Sequence, residues 1–319
     1  MKRIVGRDSL ASSDPGMSIT IGTFDGVHLG HRALMAKAIE RAGDDRLESC
    51  VLTWDRHPAA TLRPEKLPPL LTTPARKVEL IEEAGIATVV VVEFDEVLSH
   101  WSPEEFARRI LATGLNAQAV FVGQDWRFGH KAVGDVGLLE KLGADLGFSV
   151  EPVKLIEVLG GPASSTRARR AVMEGEMELA AAVLGRPFDM DGVVVRGDDR
   201  GASLGWPTAN VEIDTAYAHP PRGVYAGRGR VDSVWYPAAI NLGVNPTFGG
   251  DPAVTPLRIE AYLLDFHGDL YGRTLRVEFI ARLRDEKMFE SSSELSAQIE
   301  RDVAATRRLT DAPSYRRTP

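Results

Sequence analysis

The arrangement of apolar residues changes at Gly185-Arg186-Pro187, and no single repeating architecture accommodates both sides of that point. Ahead of it, short β-rich runs alternate with helical patterns. Residues 18–21, 49–54, 87–92, 119–122 and 149–153 read as strands. The run 87–92 is apolar and β-branched, as strands covered on both faces of a parallel sheet are. Between the strands, residues 32–41 set Leu34, Ala38 and Ile39 on one helical side, and 138–146 reads as a further helix. Thr73-Pro74 places proline at a first helical position, and Ser102-Pro103-Glu104-Glu105 reads as a capping box. Strand–helix alternation predicts a doubly wound α/β sheet. Beyond residue 186 the β-favouring segments 192–196, 224–231, 236–242, 258–265 and 275–280 follow one another across turn clusters, which predicts a barrel or sandwich. A last helix closes the chain, with Ser291-Ser292-Ser293-Glu294 as its capping box and Leu295, Ile299 and Val303 on one face. Two domains are expected, 1–185 and 186–319.

Length agrees, since 319 residues correspond to about two domains at roughly 150 each. Hydrophobic residues at 44% and charged residues at 26% exclude disorder as the main state. The 38 basic and 45 acidic residues leave a net charge of −7, which argues against a polyelectrolyte grip on nucleic acid. One cysteine, Cys50, excludes a disulfide framework and a cysteine-rich zinc site. The first residues reach a charge before any apolar core of a leader forms, so no signal peptide is expected. The purest apolar run, 87–92, is far too short to cross a bilayer. These features lead to the expectation of a soluble, cytoplasmic protein with no nucleic-acid and no membrane partner; weak self-association is the one protein contact left open.

Ile21-Gly22-Thr23-Phe24-Asp25-Gly26-Val27-His28-Leu29-Gly30-His31 stands between the first strand and the first helix. Glycines there permit a tight turn and close approach of a ligand. The helix that follows offers unpaired N–H groups and the positive end of its dipole, a seat for phosphate. His28 and His31, spaced His-x-Gly-His, can donate hydrogen bonds to phosphoryl oxygens as charge builds on a leaving group. Either histidine alone reads as a surface group of a turn. The whole constellation at a strand–helix junction points to a ligand site. Gly123-Gln124-Asp125-Trp126-Arg127-Phe128-Gly129 follows a later strand, where ligands gather on parallel sheets, although its aromatics serve equally well as packing groups. Ser164-Ser165-Thr166-Arg167 opens a helix with hydroxyls and an arginine suited to a triphosphate, and N-capping accounts for at least one of the hydroxyls. His57-Pro58 reads as a loop histidine before proline.

In the second half, the polar loop Gly197-Asp198-Asp199-Arg200-Gly201 precedes Gly205-Trp206-Pro207-Thr208-Ala209-Asn210. Thr208 and Asn210 fall on one side of an extended segment, so two oxygens reach one point. Together with phosphate oxygens and waters they make a reasonable Mg²⁺ shell. Composition alone reads the same residues as a turn, and it reads Glu260 as an outward-facing residue of an alternating strand.

The segment at 22–31 resembles the His-x-Gly-His motif of nucleotidyltransferases in its bacterial FAD synthetase form. That family carries Gly-x-Asp-Phe-x-Phe-Gly where this chain has 123–129, with Trp126 in place of the usual phenylalanine. It also carries a His-Pro pair like His57-Pro58, and Ser-Ser-Thr-Arg at 164–167. The segment ending in Pro207-Thr208-Ala209-Asn210 resembles the signature of riboflavin kinases. Gly223-Val224-Tyr225-Ala226, the run 241–248, the run 259–266, Gly268-Asp269-Leu270-Tyr271-Gly272 and Leu283-Arg284-Asp285-Glu286 follow in family order. Ala202 stands where many relatives carry arginine, which sets aside a loop contact there. The resemblance spans roughly residues 15 to 310.

The resemblance implies an α/β, Rossmann-like nucleotidyltransferase domain that acts as an FMN adenylyltransferase, followed by a mainly antiparallel β-barrel with a closing helix that acts as a riboflavin kinase. ATP would phosphorylate riboflavin to FMN, and a second ATP would adenylylate FMN to FAD with release of pyrophosphate; both steps would use Mg²⁺. His28 and His31 would bind and polarise ATP phosphates, Gly22, Phe24, Asp25 and Gly30 would shape that pocket, and Ser165, Thr166 and Arg167 would bind phosphate. Asp125 would approach the flavin. In the kinase half Gly197 would meet nucleotide, Thr208 and Asn210 would hold the metal, and Glu260 would be the general base on the ribityl hydroxyl. Two other classes stay open at this point. One is a flavin-responsive binding or regulatory protein without turnover. The other is an RNA-linked protein, since class I aminoacyl-tRNA synthetases share the His-x-Gly-His logic; the acidic charge and the short length count against it.

Overall fold

A computed structural model describes residues 1–10, 15–197, 205–244 and 257–311. The chain separates into two compact units, Met1–Ser165 and Thr166–Pro319.

The first unit is built on β1 (Lys2–Val5), β2 (Met17–Ile21), β3 (Glu48–Trp54), β4 (Thr88–Val92), β5 (Ala117–Gly123) and β6 (Ser149–Val153), with α1 (Leu29–Asp45), α2 (Pro58–Leu62), α3 (Pro74–Glu83), α4 (Glu96–Ser99), α5 (Pro103–Phe106) and α6 (Val136–Leu146) between them. A π-helical stretch, Ala107–Gly114, continues α5. All six strands run parallel in the order β1-β4-β3-β2-β5-β6. Every residue of β2 and β4 is buried because both faces of the sheet are covered. On one face Met35 of α1 and Leu80 and Ile81 of α3 pack on Val51, Val89 and Val91. On the other, Phe106, Ile110, Leu111 and Leu139 pack on Ile19, Leu52 and Val90. Thr73 caps α3 ahead of Pro74, and Ser102 and Glu105 form the full capping box. Cys50 is buried in β3, and burial pushes its thiol up, which suits a packing group.

The order of connections matters for function. From β2 the chain steps to β3 and β4 on one side, then returns to β5 and β6 on the other. The reversal lies between β2 and β5, so the loops leaving their carboxyl ends flank the crevice where doubly wound sheets hold ligands. Those two loops are residues 22–28 and 124–129. The hairpin β7 (Glu157–Val158) and β8 (Gly161–Pro162) completes this unit.

The second unit takes in almost all of α7 (Ser165–Glu174) and all of α8 (Met177–Leu184). Both helices lie ahead of the residue at which the sequence pattern changes, and α8 packs on β9 and β14 of the barrel. Six antiparallel strands close that barrel in the order β10-β13-β12-β11-β14-β9: β9 (Phe188–Val195), β10 (Ala209–Glu212), β11 (Gly223–Val231), β12 (Val234–Val244), β13 (Leu257–Leu263) and β14 (Thr274–Arg284). Pairing of β9 with β10 completes the ring and leaves no free edge. The last helix, α9 (Ser292–Thr310), packs on β11, β12 and β14.

Its start differs from expectation. Ser291 accepts from Glu294 N–H at 3.3 Å, but the Glu294 carboxylate takes the N–H of Glu290 and not that of Ser291. The inward face also differs. Leu295, Ile299 and Val303 are half-buried, while Asp302, Thr306 and Thr310 lie deepest. Asp302 is held there by the Arg284 guanidinium at 2.8 Å.

Candidate functional site

The loop between β2 and α1 is held in a conformation that a free chain would avoid. Phe24 and Val27 have φ of 53° and 42°, and both are fully buried. Positive φ is a true outlier for a β-branched residue and costs on the order of 1 kcal/mol or more per residue. Gly26, at φ 78°, takes the same region without a Cβ clash.

Hydrogen bonds from the surroundings fix this shape. The buried Asp25 carboxylate accepts from Leu71 N–H at 2.9 Å, from Thr72 N–H at 3.2 Å and from the Thr72 hydroxyl at 3.2 Å. Thr72 Oγ1 in turn accepts from Gly26 N–H at 3.1 Å. Ser165, the first residue of α7, donates its hydroxyl to the Asp25 carbonyl at 2.9 Å. Gly22 N–H donates to Leu52 carbonyl at 3.1 Å. Asp25 therefore shapes the loop from behind, through the protein's own donors.

His28 is the N-cap of α1. Its Nδ1 accepts from His31 N–H at 3.3 Å, which requires that nitrogen to be unprotonated and leaves the neutral ring's proton on Nε2. The two imidazoles stack with centroids 3.6 Å apart, and Phe24 closes on His31 at 4.8 Å. Burial, the neighbouring His28 and then Lys77 hold His31 well below the ordinary histidine range. Its Nδ1 is buried with no hydrogen-bond partner among the described residues. A Cβ at Gly30 would lie 3.0 Å from His28 Cε1 and 3.0 Å from the Ala163 carbonyl, so a bare glycine keeps the histidine in place.

Beneath the loop lies a group that the sequence reading passed over. Lys77, on the buried face of α3, donates to Trp54 carbonyl at 2.8 Å, Thr53 Oγ1 at 3.2 Å and Thr23 carbonyl at 3.4 Å. Its signal is weak, because a lysine four residues into an amphipathic helix ordinarily reads as solvated.

Across the crevice, Asp125 is exposed at the carboxyl end of β5. Trp126 stacks on Phe128 at 4.7 Å, and Phe128 is buried in the core, so those aromatics do pack. Arg127 reaches Asp135 at 3.5 Å on the surface. Thr166 and Arg167 occupy the first turn of α7, Thr166 exposed and Arg167 half-buried. His57 caps α2 by accepting Ala59 N–H at 3.1 Å, the plain structural role.

In the barrel, β13 alternates cleanly. Leu257, Ile259, Ala261 and Leu263 are buried inward; Arg258, Glu260 and Tyr262 face out. Glu260 stands directly opposite Asn210 of β10 on one side and Asn241 of β12 on the other. Paired residues share a face with Cβ atoms roughly 4.5–5.5 Å apart, so both amides flank the carboxylate. Thr208 lies two residues ahead of Asn210, just before β10 begins at Ala209. A Cβ at Gly197 would come within 2.1 Å of Asn210 Nδ2; the glycine seats that side chain. A Cβ at Gly243 would likewise lie 2.0 Å from Glu286 Oε1. Glu286 accepts from Asn241, and burial followed by the nearby Glu260 raises it above the usual carboxylate range, against the pull of Arg222, Asn241 and Arg284. Trp206 meets Tyr262 edge-on at 5.2 Å and reaches Ser296 of α9 at 3.4 Å, walling the same face.

The structure thus brings His28, His31, Phe24 and Asp25 into one loop and sets Asn210, Gly197 and Glu260 together on the barrel, with Thr208 two residues ahead of Asn210. Asn241 and Glu286 join that face, Asn241 opposite Glu260 and Glu286 beside both. Residues 198–201, Ala202 and the motif residues 245–248 lie outside the described residues. Among the described residues no group of three or more histidine, cysteine or carboxylate side chains is placed to hold a metal, and no helix is long and apolar enough to cross a membrane.

The FAD synthetase family model matches residues 10–167 and the riboflavin kinase family model matches 184–310. The chain is 39% identical to a bifunctional riboflavin kinase/FMN adenylyltransferase of Pseudomonas fluorescens, over 99% of this chain and 100% of that protein. It is 35% identical to the Escherichia coli (strain K12) protein of the same description, over 96% and 97%. A crystal structure described as a macrolide-efflux protein from Streptococcus pneumoniae superposes with a TM-score of 0.84 at 29% identity, covering 96% of this chain and 99% of that one.

Proposed function

This chain belongs to the bifunctional riboflavin kinase/FMN adenylyltransferase family, and from that membership we propose how its residues divide the two reactions. The protein phosphorylates riboflavin with ATP to FMN and adenylylates FMN with a second ATP to FAD and pyrophosphate. Adenylyl transfer is assigned to residues 1–185 and the kinase reaction to 186–319. The observation that carries this division is that each half presents its own donor and acceptor set, the histidine loop at the sheet's reversal point and the Glu260 face of the barrel.

In the adenylyl half, the FMN phosphate attacks the α-phosphorus of ATP and pyrophosphate leaves. His28, fixed in one tautomer by its capping bond, offers Nε2–H to a phosphate oxygen. His31, neutral because it is buried, contributes a donor without a competing charge on the ring. Gly22, Phe24, Asp25 and Gly30 shape the loop that carries them. Ser165, Thr166 and Arg167 are assigned phosphate binding at the start of α7, where helix N–H groups lack intrahelical partners. Asp125 is assigned to the flavin side.

In the kinase half, Glu260 accepts the proton of the ribityl 5′-hydroxyl as that oxygen attacks the γ-phosphate. Thr208 and Asn210 supply two hard oxygens, which fits Mg²⁺, an ion that keeps several waters and phosphate oxygens in its shell. When bound, Mg²⁺ offsets phosphate charge. Gly197 acts by leaving room for Asn210. A cytoplasmic location, with ATP and flavins as the partners, belongs to the same proposal.

Chromatography of flavins after incubation of the purified protein with riboflavin, ATP and Mg²⁺ tests the reading. FMN should appear first and FAD after it. Riboflavin bound but unchanged would instead favour a flavin-responsive binding protein.

A further inference from the structure

We infer that Lys77 is a positioning residue for adenylyl transfer, a three-way tie that fixes the loop carrying His28 and His31 against the end of β3. The inference rests on the reading of that loop as the adenylyl-transfer site. An ammonium group has three N–H donors and no acceptor. Lys77 spends all three on oxygens of two neighbouring segments: Thr23 carbonyl in the loop, and Thr53 Oγ1 and Trp54 carbonyl at the carboxyl end of β3. Thr53 Oγ1 passes its own proton to the same Thr23 carbonyl at 3.2 Å. Thr23 immediately precedes Phe24, the first of the strained residues, so the tie sits where the loop departs from strand geometry.

The position of the amine follows from the fold. Thr73 caps α3, Pro74 starts it, and Lys77 then falls on the face that buries Leu80 and Ile81. Only 8% of Lys77 remains exposed. A lost donor there leaves buried oxygens short of a partner, Trp54 carbonyl and Thr53 Oγ1 more so than Thr23 carbonyl, which keeps the Thr53 hydroxyl. The charged and titratable groups around it are Asp25 in the loop, Asp55 after β3, and the His28–His31 pair at the start of α1; Arg76, next to it on α3, is turned to Glu79 and Glu83. Burial lowers Lys77 to about 8, with Asp25 and Asp55 pulling the other way. Loss of the proton leaves two donors for three acceptors. The tie therefore loosens on the alkaline side of neutrality, while the folded core around it persists.

The test uses the full chain and measures FMN adenylylation and riboflavin phosphorylation separately as functions of pH. Lys77→Met keeps the stem and deletes the donors. Its kcat for FAD formation should fall at least about tenfold, since a small displacement of a positioned group costs on that order or more, with riboflavin phosphorylation unchanged. Wild-type FAD formation should decline above about pH 8, and that alkaline limb should be absent in Lys77→Met. Thr53→Val, a near-isosteric change in a fully buried strand position, removes one acceptor and favours the neutral amine. Its alkaline limb should move to lower pH, which keeps the inference testable if the methionine variant does not fold. Wild-type kcat in both variants, or an alkaline limb that persists in Lys77→Met, would overturn it. His28→Ala separates the two levels. FAD formation at the wild-type rate in His28→Ala refutes the site itself; its loss there, with Lys77→Met unaffected, refutes only the role of Lys77.

Discussion

A histidine that caps its own helix has its tautomer chosen for it. His28 gives Nδ1 to His31 N–H, so the proton of the neutral ring sits on Nε2. Replacing His28 with alanine removes both cap and donor. FAD formation from FMN should drop by roughly two to three orders of magnitude, the usual effect of deleting one donor to developing charge, and FMN formation should be unchanged in the same preparation. His31 makes a different prediction, about stability. In the folded chain it resists protonation; unfolded, it takes a proton near its ordinary value of 6.5. Below that value the unfolded chain binds the extra proton, so the folded state loses stability as pH falls from 6.5 toward the lowered folded value. His31→Phe keeps the stacked ring and abolishes the titration. Urea unfolding at about pH 7, 6 and 5 should show wild type losing ground to the variant by about 1 kcal/mol per pH step at most. Equal slopes in the two proteins would remove His31 from the account.

At the scale of elements, most strands were legible because their chemistry is local. The apolar β-branched run ending at Val92 could only be an interior strand, and it is β4. Several elements were not legible, and three of them show why. β1 is short, begins Lys2-Arg3 and lies at a sheet edge, where one exposed face erases the apolar signal. α8 is a short helix so rich in alanine that its buried face, Met177, Ala180, Val183 and Leu184, has little contrast with the rest. β10 reads as a turn because Pro207-Thr208-Ala209-Asn210 is turn composition, yet its pairing with β9 and β13 closes the barrel. Tertiary pairing decided it, which no local propensity could do. The candidate site divides the same way. Motif spacing singled out His28 and His31, and resemblance singled out Thr208, Asn210 and Glu260, whereas neighbours such as Thr72, Lys77 and Asn241 come from distant segments. Gly197 shows how such a neighbour can be tested. A methyl group there would meet Asn210 Nδ2 at 2.1 Å and must push the amide away from Glu260. Gly197→Ala should lower kcat for riboflavin phosphorylation by about tenfold or more, with FMN adenylylation as the unaffected internal control.

For the whole molecule, the decisive fact is that each unit has its own core. The parallel sheet is packed by helices of its own unit and the barrel closes on itself. A lesion that removes one reactive side chain should therefore silence one reaction and leave the other intact. Glu260→Gln keeps the size and one acceptor of the carboxylate but cannot take a proton, and general-base loss costs roughly two to four orders of magnitude. Given riboflavin and ATP, it should make neither FMN nor FAD; given FMN and ATP, it should make FAD at the wild-type rate. His28→Ala should do the reverse, accumulating FMN from riboflavin. Mixed in equal amounts with riboflavin and ATP, the two variants should restore FAD. FMN made by the His28→Ala chains would rise first, and FAD would follow after a lag that shortens as the Glu260→Gln protein is increased. A mixture that stalls at FMN, although the Glu260→Gln chains adenylylate added FMN, would show that the two reactions are coupled within one chain and that separate sites alone do not describe this protein.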